Sequence, residues 1–272
     1  MALDCVAAIK AHHASACAGD AEAVHQIRIA ITRLRAAAAF FAPFVVDAEW
    51  LRLKKEIAWL NGPLGDARDS DVVMEYASRK RYRAWAQRMI GEQLGLSQMR
   101  DHRRLVRCLR SVRTQRMVAA MAGWIRHGAW VERYKRREQA EPLQAYCTRQ
   151  LGDWYQRLVR KGRRLKTLSA SRRHRLRIRA KRFRYMLEAL KESGGLRGGG
   201  EWHRRYRQAK LMQRTLGDLR DLKRFADLAD ISPQTKHAKR DKKRPPGYRA
   251  RRDKLLSAAI AAHRDLKHAG AC

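Results

Sequence analysis

Two segments of the chain repeat one pattern of histidine, arginine and apolar residues. The first begins at His25 and carries arginines three, eight and ten residues later. The second begins 149 residues further on, at His174, with arginines at the same three distances. A Leu-Gly-Asp-x-Arg-Asp segment follows each of them, at Leu64 and at Leu216. Because two motifs recur in the same order with almost the same spacing, the sequence predicts a duplicated structural unit.

Both copies consist largely of residues that favour helices. Ala, Leu, Arg, Lys, Glu and Gln are abundant, and the alternating β-branched residues typical of strands are missing. The sequence therefore predicts an all-α fold. Helices are expected near residues 3–18, 21–42, 48–61, 66–79, 80–92, 97–126, 141–167, 171–193, 201–215, 218–229 and 249–268.

The chain is predicted to form a single domain over residues 1–272 from two repeats. The first repeat covers about 1–130 and the second about 141–268, with the boundary at 130–142, where the apolar periodicity breaks. Residues 232–248 combine prolines with many cations and are too polar to bury a face. We expect them to form a mobile basic loop.

Each His-x-x-Arg helix has an apolar face and a basic face when its residues are projected at ~100° per residue. The apolar faces consist of Ile27, Ile31, Leu34, Ala38 and Phe41, and of Leu176, Ala180, Phe183, Leu187 and Leu190. The basic faces consist of His25, Arg28, Thr32 and Arg35, and of His174, Arg177, Lys181 and Arg184. The two faces lie ~120° apart. The cations should therefore flank a helix–helix seam, with their stems packed on apolar neighbours. An ordinary solvated face is the alternative interpretation.

The charge of the chain indicates what it binds. It has 62 Lys and Arg against 26 Asp and Glu, a formal net charge of +36. Because so much charge repels itself, a polyanion should offset it: nucleic acid, an anionic membrane surface or an inorganic phosphate chain. No apolar run approaches the ~18 residues of a membrane span, and no secretory signal is expected. The five scattered cysteines contain no Cys-x-x-Cys, which favours unpaired thiols in the cytoplasm.

The Leu-Gly-Asp segments have a structural interpretation. Gly65 and Gly217 suit a helix end, and Asp66 and Asp218 suit the N-cap of a following helix. Their carboxylates also allow a metal site as an alternative. Capping is the better interpretation, because arginines surround each cluster.

The paired motifs, in this order, resemble those of the CHAD family, the conserved histidine α-helical domain. The resemblance covers nearly the whole chain. It implies two pseudo-symmetric helical bundles with a basic central groove or pore. It also implies non-catalytic binding of inorganic polyphosphate and association with polyphosphate granules. The expected binding residues are His25, Arg28, Arg33, Arg35, His174, Arg177, Lys181, Arg182 and Arg184, with Arg207 and Lys210 of the helix that follows.

The two halves are not equally basic. Thr32 stands where the second half has Lys181, and Ala58 stands where it has Lys210. We therefore expect the second half to hold the anion more strongly. The Glu-x-Glu-x-Lys signature of the triphosphatase-like domain often fused to CHAD domains is absent, so a stand-alone module is expected.

Two other functions compete with polyphosphate binding. A nucleic-acid-binding protein fits the charge, although no zinc-finger, helix-turn-helix or RNP signature is present. A metal-dependent phosphohydrolase is the second alternative, although the chain has no Walker A, H-E-x-x-H or G-x-S-x-G motif. We expect no enzyme activity, metal or cofactor, and expect phosphate or sulfate ions to enter the same groove.

Overall fold

The computed structural model describes residues 1–91, 93–138, 141–194, 200–231 and 244–269. These described residues form twelve α-helices and one short 3₁₀ helix, Leu165–Thr167. The α-helices are α1 (Ala2–Cys17), α2 (Ala21–Phe40), α3 (Ala42–Val45), α4 (Ala48–Ser78), α5 (Lys80–Met89), α6 (Gln93–Leu109), α7 (Val112–His127), α8 (Trp130–Glu138), α9 (Leu143–Gly162), α10 (Ala170–Glu192), α11 (Gly200–Ile231) and α12 (Tyr248–His268).

The all-α prediction is confirmed, since the described residues contain no strand. None of their helices has the apolar length that a membrane crossing requires. Cys5, Cys17, Cys108 and Cys147 are unpaired, as expected. Most of the predicted loop at 232–248 lies outside the described residues, which resume at residue 244. The pseudo-symmetry and the basic groove stay predictions.

Two predicted helix breaks do not exist. The Leu-Gly-Asp segments lie inside two continuous helices, α4 with 31 residues and α11 with 32. In α4, Leu60, Leu64 and Ala67 are completely buried at helical spacing. Their packing therefore carries the helix through both Pro63 and Gly65, two residues that disfavour it locally. The N-cap interpretation of Asp66 and Asp218 is consequently wrong.

The helix expected at 97–126 is divided. It forms α6 and α7, and the Ser111 side chain caps α7 by accepting a hydrogen bond of 3.3 Å from the Thr114 N–H. Serine is one of the strongest N-cap residues, so the sequence did carry this signal. The interval at 130–142, expected to separate the repeats, contains helix α8.

The chain forms two compact units, and each unit is built from two separate stretches of the sequence. Unit 1 comprises Met1–Asp71 and Leu96–Thr148, and unit 2 comprises Val72–Gly95 and Arg149–Cys272. Helix α4 therefore supplies residues to both units. The core of unit 1 packs the apolar face of α2 against α4, α6 and α7 through residues that include Ile27, Ile31, Leu53, Ile57, Leu105, Leu109, Met117 and Met121.

Unit 2 has an aromatic cluster at its core. The Phe225 ring lies 5.6 Å from Tyr76, 5.5 Å from Tyr82 and 5.0 Å from Trp85 between ring centroids. Edge and tilted contacts of this kind add to the area that large rings bury. Segment Val72–Gly95 is therefore part of the hydrophobic core of this unit.

The predicted apolar faces are largely confirmed. All five residues on α10 are buried, and so are Ile27, Ile31, Leu34 and Ala38 on α2. Phe41 is the exception and is partly exposed, because α2 ends at Phe40 and that neighbouring ring is buried instead.

Candidate anion-binding site

The basic face of α2 is partly buried along its whole length. The helix begins after Asp20, whose Oδ1 accepts a hydrogen bond of 2.8 Å from the Glu22 N–H. Four residues of intermediate exposure follow on one face: His25, Arg28, Thr32 and Arg35. A fully solvated face would leave such long side chains exposed. Their partial burial fits cations whose stems pack on the bundle.

Arg28 connects the two motifs of the first repeat. Its Nη1 donates a hydrogen bond of 2.8 Å to the carbonyl oxygen of Leu64 in α4. The next residue is Gly65, where an added Cβ would lie 3.6 Å from the same nitrogen. The histidine motif and the Leu-Gly-Asp motif therefore meet within unit 1.

The basic face of α10 is also partly buried. The Ser169 hydroxyl caps the start of this helix by accepting a hydrogen bond of 3.3 Å from the Arg172 N–H. Residues of intermediate exposure form the face: His174, Arg177, Lys181 and Arg184. By contrast, Arg172, Arg175 and Arg179 on other sides of the helix are exposed. The structure thus separates a partly buried set of cations from a solvated one.

The side chain of Arg177 packs against α11 at Gly217. A Cβ added at this glycine would lie 3.1 Å from Nε and 3.5 Å from Nη2 of Arg177, which is tight packing. The motifs of the second repeat therefore meet within unit 2 at the matching pair of positions.

The tight contact with Arg177 explains the motif glycine at position 217. Glycine inside a helix costs roughly 0.5–1 kcal/mol relative to alanine, so its presence in α4 and α11 calls for a reason. At Gly217 that reason is the close approach of an arginine side chain from the neighbouring helix. The available sequence signal was a glycine inside an otherwise good helical segment at the same place in both repeats.

Arg184 is held by polar partners on two helices. Its Nε donates a hydrogen bond of 3.0 Å to Oε1 of Gln213, and its Nη1 forms an ion pair with Glu188. The Tyr206 hydroxyl donates a hydrogen bond of 2.7 Å to the same Glu188 carboxylate. Burial raises the pKa of Tyr206, and the neighbouring carboxylate raises it further. The phenol therefore keeps its proton at neutral pH and donates this hydrogen bond.

Aromatic rings contact the basic residues of unit 2. The Arg184 guanidinium lies 4.4 Å, and the Lys181 ammonium 5.4 Å, from the ring centroid of the buried Tyr185. Lys210 lies 5.8 Å from the ring of Tyr206. Such cation–π contacts hold the cations in place without neutralising them. No sequence pattern indicated these contacts beforehand.

A comparison with known families identifies the fold that carries these motifs. The family model of the CHAD domain matches residues 1–230. The chain belongs to the CHAD family. No curated protein matches it.

Two solved structures resemble this CHAD protein over nearly its whole length. The crystal structure of the CHAD domain from the plant Ricinus communis has a TM-score of 0.68 and 23% identity, covering 98% of this chain and 89% of that chain. PptA from Streptomyces chartreusis has a TM-score of 0.63 and 16% identity, covering 100% and 95%. At these identities the likeness shows the fold alone.

Four further residues of this CHAD protein were predicted to bind the anion: Arg33, Arg182, Arg207 and Lys210. Burial raises the pKa of the Cys5 thiol in α1, and the positive charge of Arg33 opposes that rise. Arg33 is partly exposed. Arg182, which matches Arg33, is partly exposed, and Arg207 and Lys210 on α11 are exposed.

The aspartates of the Leu-Gly-Asp segments lie among arginines. Burial raises the pKa of Asp218, and the charges of Arg214, Arg251, Arg79 and Arg177 oppose that rise. Asp66 forms an ion pair of 3.5 Å with Arg104. Within the part of the chain that the structure describes, no three His, Cys, Asp or Glu residues are grouped to hold a metal. These carboxylates instead balance the charge of the arginines around them.

Proposed function

We propose that this CHAD protein binds inorganic polyphosphate through the basic faces of α2 and α10, without catalysis. The observation that carries the proposal is the partial burial of both faces, each with an arginine set against a motif glycine. Arginine offers planar donors that match phosphate oxygens, and lysine adds a point charge. A linear chain of phosphates suits cations spaced one helical turn apart.

The proposal extends to where the protein acts. Membership in this family and the net charge of +36 support a cytoplasmic protein associated with polyphosphate granules. Free phosphate or sulfate would occupy the same cations more weakly, because a single ion contacts fewer of them.

A salt series tests the proposal directly. The purified protein is titrated with long-chain polyphosphate, and with single-stranded and duplex DNA at equal charge concentration, between 50 mM and 500 mM salt. We expect polyphosphate to bind most tightly at every salt concentration, with an affinity that falls steeply as salt rises because neutralised phosphates release counterions. Displacement of polyphosphate by equal charge of DNA would contradict the proposal.

Nucleic acid is the second candidate because of one feature outside the two basic faces. Helix α6 carries exposed arginines at helical spacing, Arg100, Arg103 and Arg107, and the exposed Arg110 follows its last residue. Such a row can follow a phosphate backbone of any kind. DNA binding that is tighter than polyphosphate binding at equal charge, and that is lost on charge reversal on α6 but kept on reversal on α10, would favour this alternative.

An assay for released phosphate tests the absence of catalysis. Polyphosphate is incubated with the protein and added magnesium or manganese. We expect no phosphate release above that of a buffer control. Metal-dependent release would show that the protein is a phosphohydrolase.

A further inference from the structure

Glu188 lies on the same face of α10 as the cations, one helical turn beyond Arg184. It lies four residues after Arg184 and is the only carboxylate between Ser171 and Leu190. The two side chains form an ion pair and are largely buried, with 13% of the Arg184 side chain and 22% of the Glu188 side chain exposed. A single anion is thus built into the row of cations that the proposed function assigns to polyphosphate.

Three neighbours hold this ion pair in place. Gln213 accepts from Arg184, Tyr206 donates to Glu188, and the Tyr185 ring lies under the guanidinium. The contacts join α10 to α11, so the carboxylate is fixed at the position where Arg184 presents its donors. Carboxylate and phosphate oxygens compete for the same guanidinium geometry.

The first repeat lacks this anion. Ala39 stands at the position in α2 that matches Glu188. Among the described residues, Arg35, which matches Arg184, forms no hydrogen bond or ion pair. Two cations at matching positions in the repeats therefore differ in one respect: an internal carboxylate holds one of them.

We propose that Glu188 competes with the ligand for Arg184. The Glu188 carboxylate stays paired with Arg184 until a phosphate group displaces it. The inference rests on the proposed function and deepens it. Glu188 lowers the affinity of the α10 face and partly cancels the advantage that Lys181 gives the second repeat. When a phosphate replaces the carboxylate, the Tyr206 hydroxyl becomes a donor to that phosphate.

Two variants with opposite expected effects test this role. Glu188→Gln keeps the shape of the side chain and removes its charge. We expect it to tighten long-chain polyphosphate binding about three- to tenfold at 150 mM salt. The slope of log affinity against log salt should steepen by roughly 0.7, the value for one additional phosphate neutralised on a single-stranded polyanion. Ala39→Glu introduces the matching anion on α2 and should weaken binding and flatten the slope.

A matched control separates this effect from net charge. Asp153→Asn adds the same unit of positive charge in unit 2, at an exposed ion pair with Arg157. We expect its affinity to change by less than about twofold, since exposed charges are screened. Circular dichroism and thermal unfolding establish that each variant is folded. If Glu188→Gln fails to fold, Ala39→Glu still tests the inference.

The outcomes distinguish the inference from the proposed function. If the unaltered protein does not bind polyphosphate, the proposed function fails. If it binds, but Glu188→Gln binds no more tightly than Asp153→Asn, Glu188 is a structural partner of Arg184 and the inference is wrong. Unchanged binding by Ala39→Glu would contradict it as well.

Discussion

Arg177 lies directly over Gly217, and a Cβ added at that glycine would stand 3.1 Å from Nε of the arginine. The contact joins the two repeated motifs of the second half and fixes one guanidinium of the basic face of α10. The first half forms the related contact from Arg28 to the Leu64 carbonyl and Gly65 with more room. The arginine of the second half is therefore the more tightly packed of the two.

Gly217→Ala should weaken polyphosphate binding about three- to tenfold. The new methyl group must move the Arg177 guanidinium by a few tenths of an ångström, which costs part of the roughly 1.5–3 kcal/mol of a charge-assisted hydrogen bond. Gly65→Ala is the matched control, because its methyl group would lie 3.6 Å from Arg28 in ordinary contact. We expect this control to keep its affinity and to gain up to about 1 kcal/mol of helix stability. Equal affinities measured by calorimetry would contradict the prediction.

Charge reversal on the basic face of α10 should abolish polyphosphate binding. The variant combines Arg177→Glu, Lys181→Glu and Arg184→Glu, and its helical circular dichroism should remain near that of the unaltered protein. The control reverses Arg172, Arg175 and Arg179, which are exposed on the same helix. It has the same net charge, and we expect it to lose much less affinity. Equal losses in both variants would mean that overall charge, and not this face, binds the anion.

Gly162→Ala should destabilise unit 2 by about 1–3 kcal/mol. A Cβ at Gly162 would overlap the imidazole ring of His263, which is buried and hydrogen-bonded through Nε2 to the Val159 carbonyl oxygen at 2.8 Å. The ring can move only by giving up that hydrogen bond. Gly152→Ala in the same helix has open space around the new methyl group and should be neutral or stabilising. Chemical denaturation of both variants measures the difference, and equal midpoints would refute the prediction.

Asp218→Asn should raise the thermal unfolding midpoint at pH 7. Burial raises the pKa of Asp218 in the folded protein, so folding is more favourable when this carboxyl is protonated. That contribution is fully present below the unfolded pKa of 3.8 and is lost as pH rises through the folded pKa. The gain from asparagine should therefore shrink as pH falls towards 4. A gain that stayed constant over pH 4–8 would show that titration of Asp218 is not its cause.

The sequence was sufficient to predict the two His-x-x-Arg helices, because their stability follows from local periodicity. Leu176, Ala180 and Phe183 recur at helical spacing, and all are buried. The same periodicity placed Arg177 and Lys181 beside the apolar face, where both are partly buried. Local sequence was enough wherever a helix depends on its own residues.

Local signals failed where distant contacts decide the structure. Pro63 and Gly65 predict a helix end, but the buried Leu60 and Leu64 keep α4 continuous through them. The Arg28–Leu64 hydrogen bond joins residues 36 positions apart, and no spacing rule foresees it. The role of the motif glycines depends on that packing, so it could not be derived from the motif alone.

The passage of α4 through both units has a consequence for how the gene for such a protein can change. The aromatic core of unit 2 combines Tyr76, Tyr82 and Trp85 with Phe225, and the sequence repeat assigns the first three residues to the other half. A recombination event at the repeat junction, near residue 140, would therefore separate Phe225 from its partners and leave unit 2 without part of its core. The repeated motifs are visible in the sequence, but the two halves that carry them cannot be exchanged separately and must be inherited together.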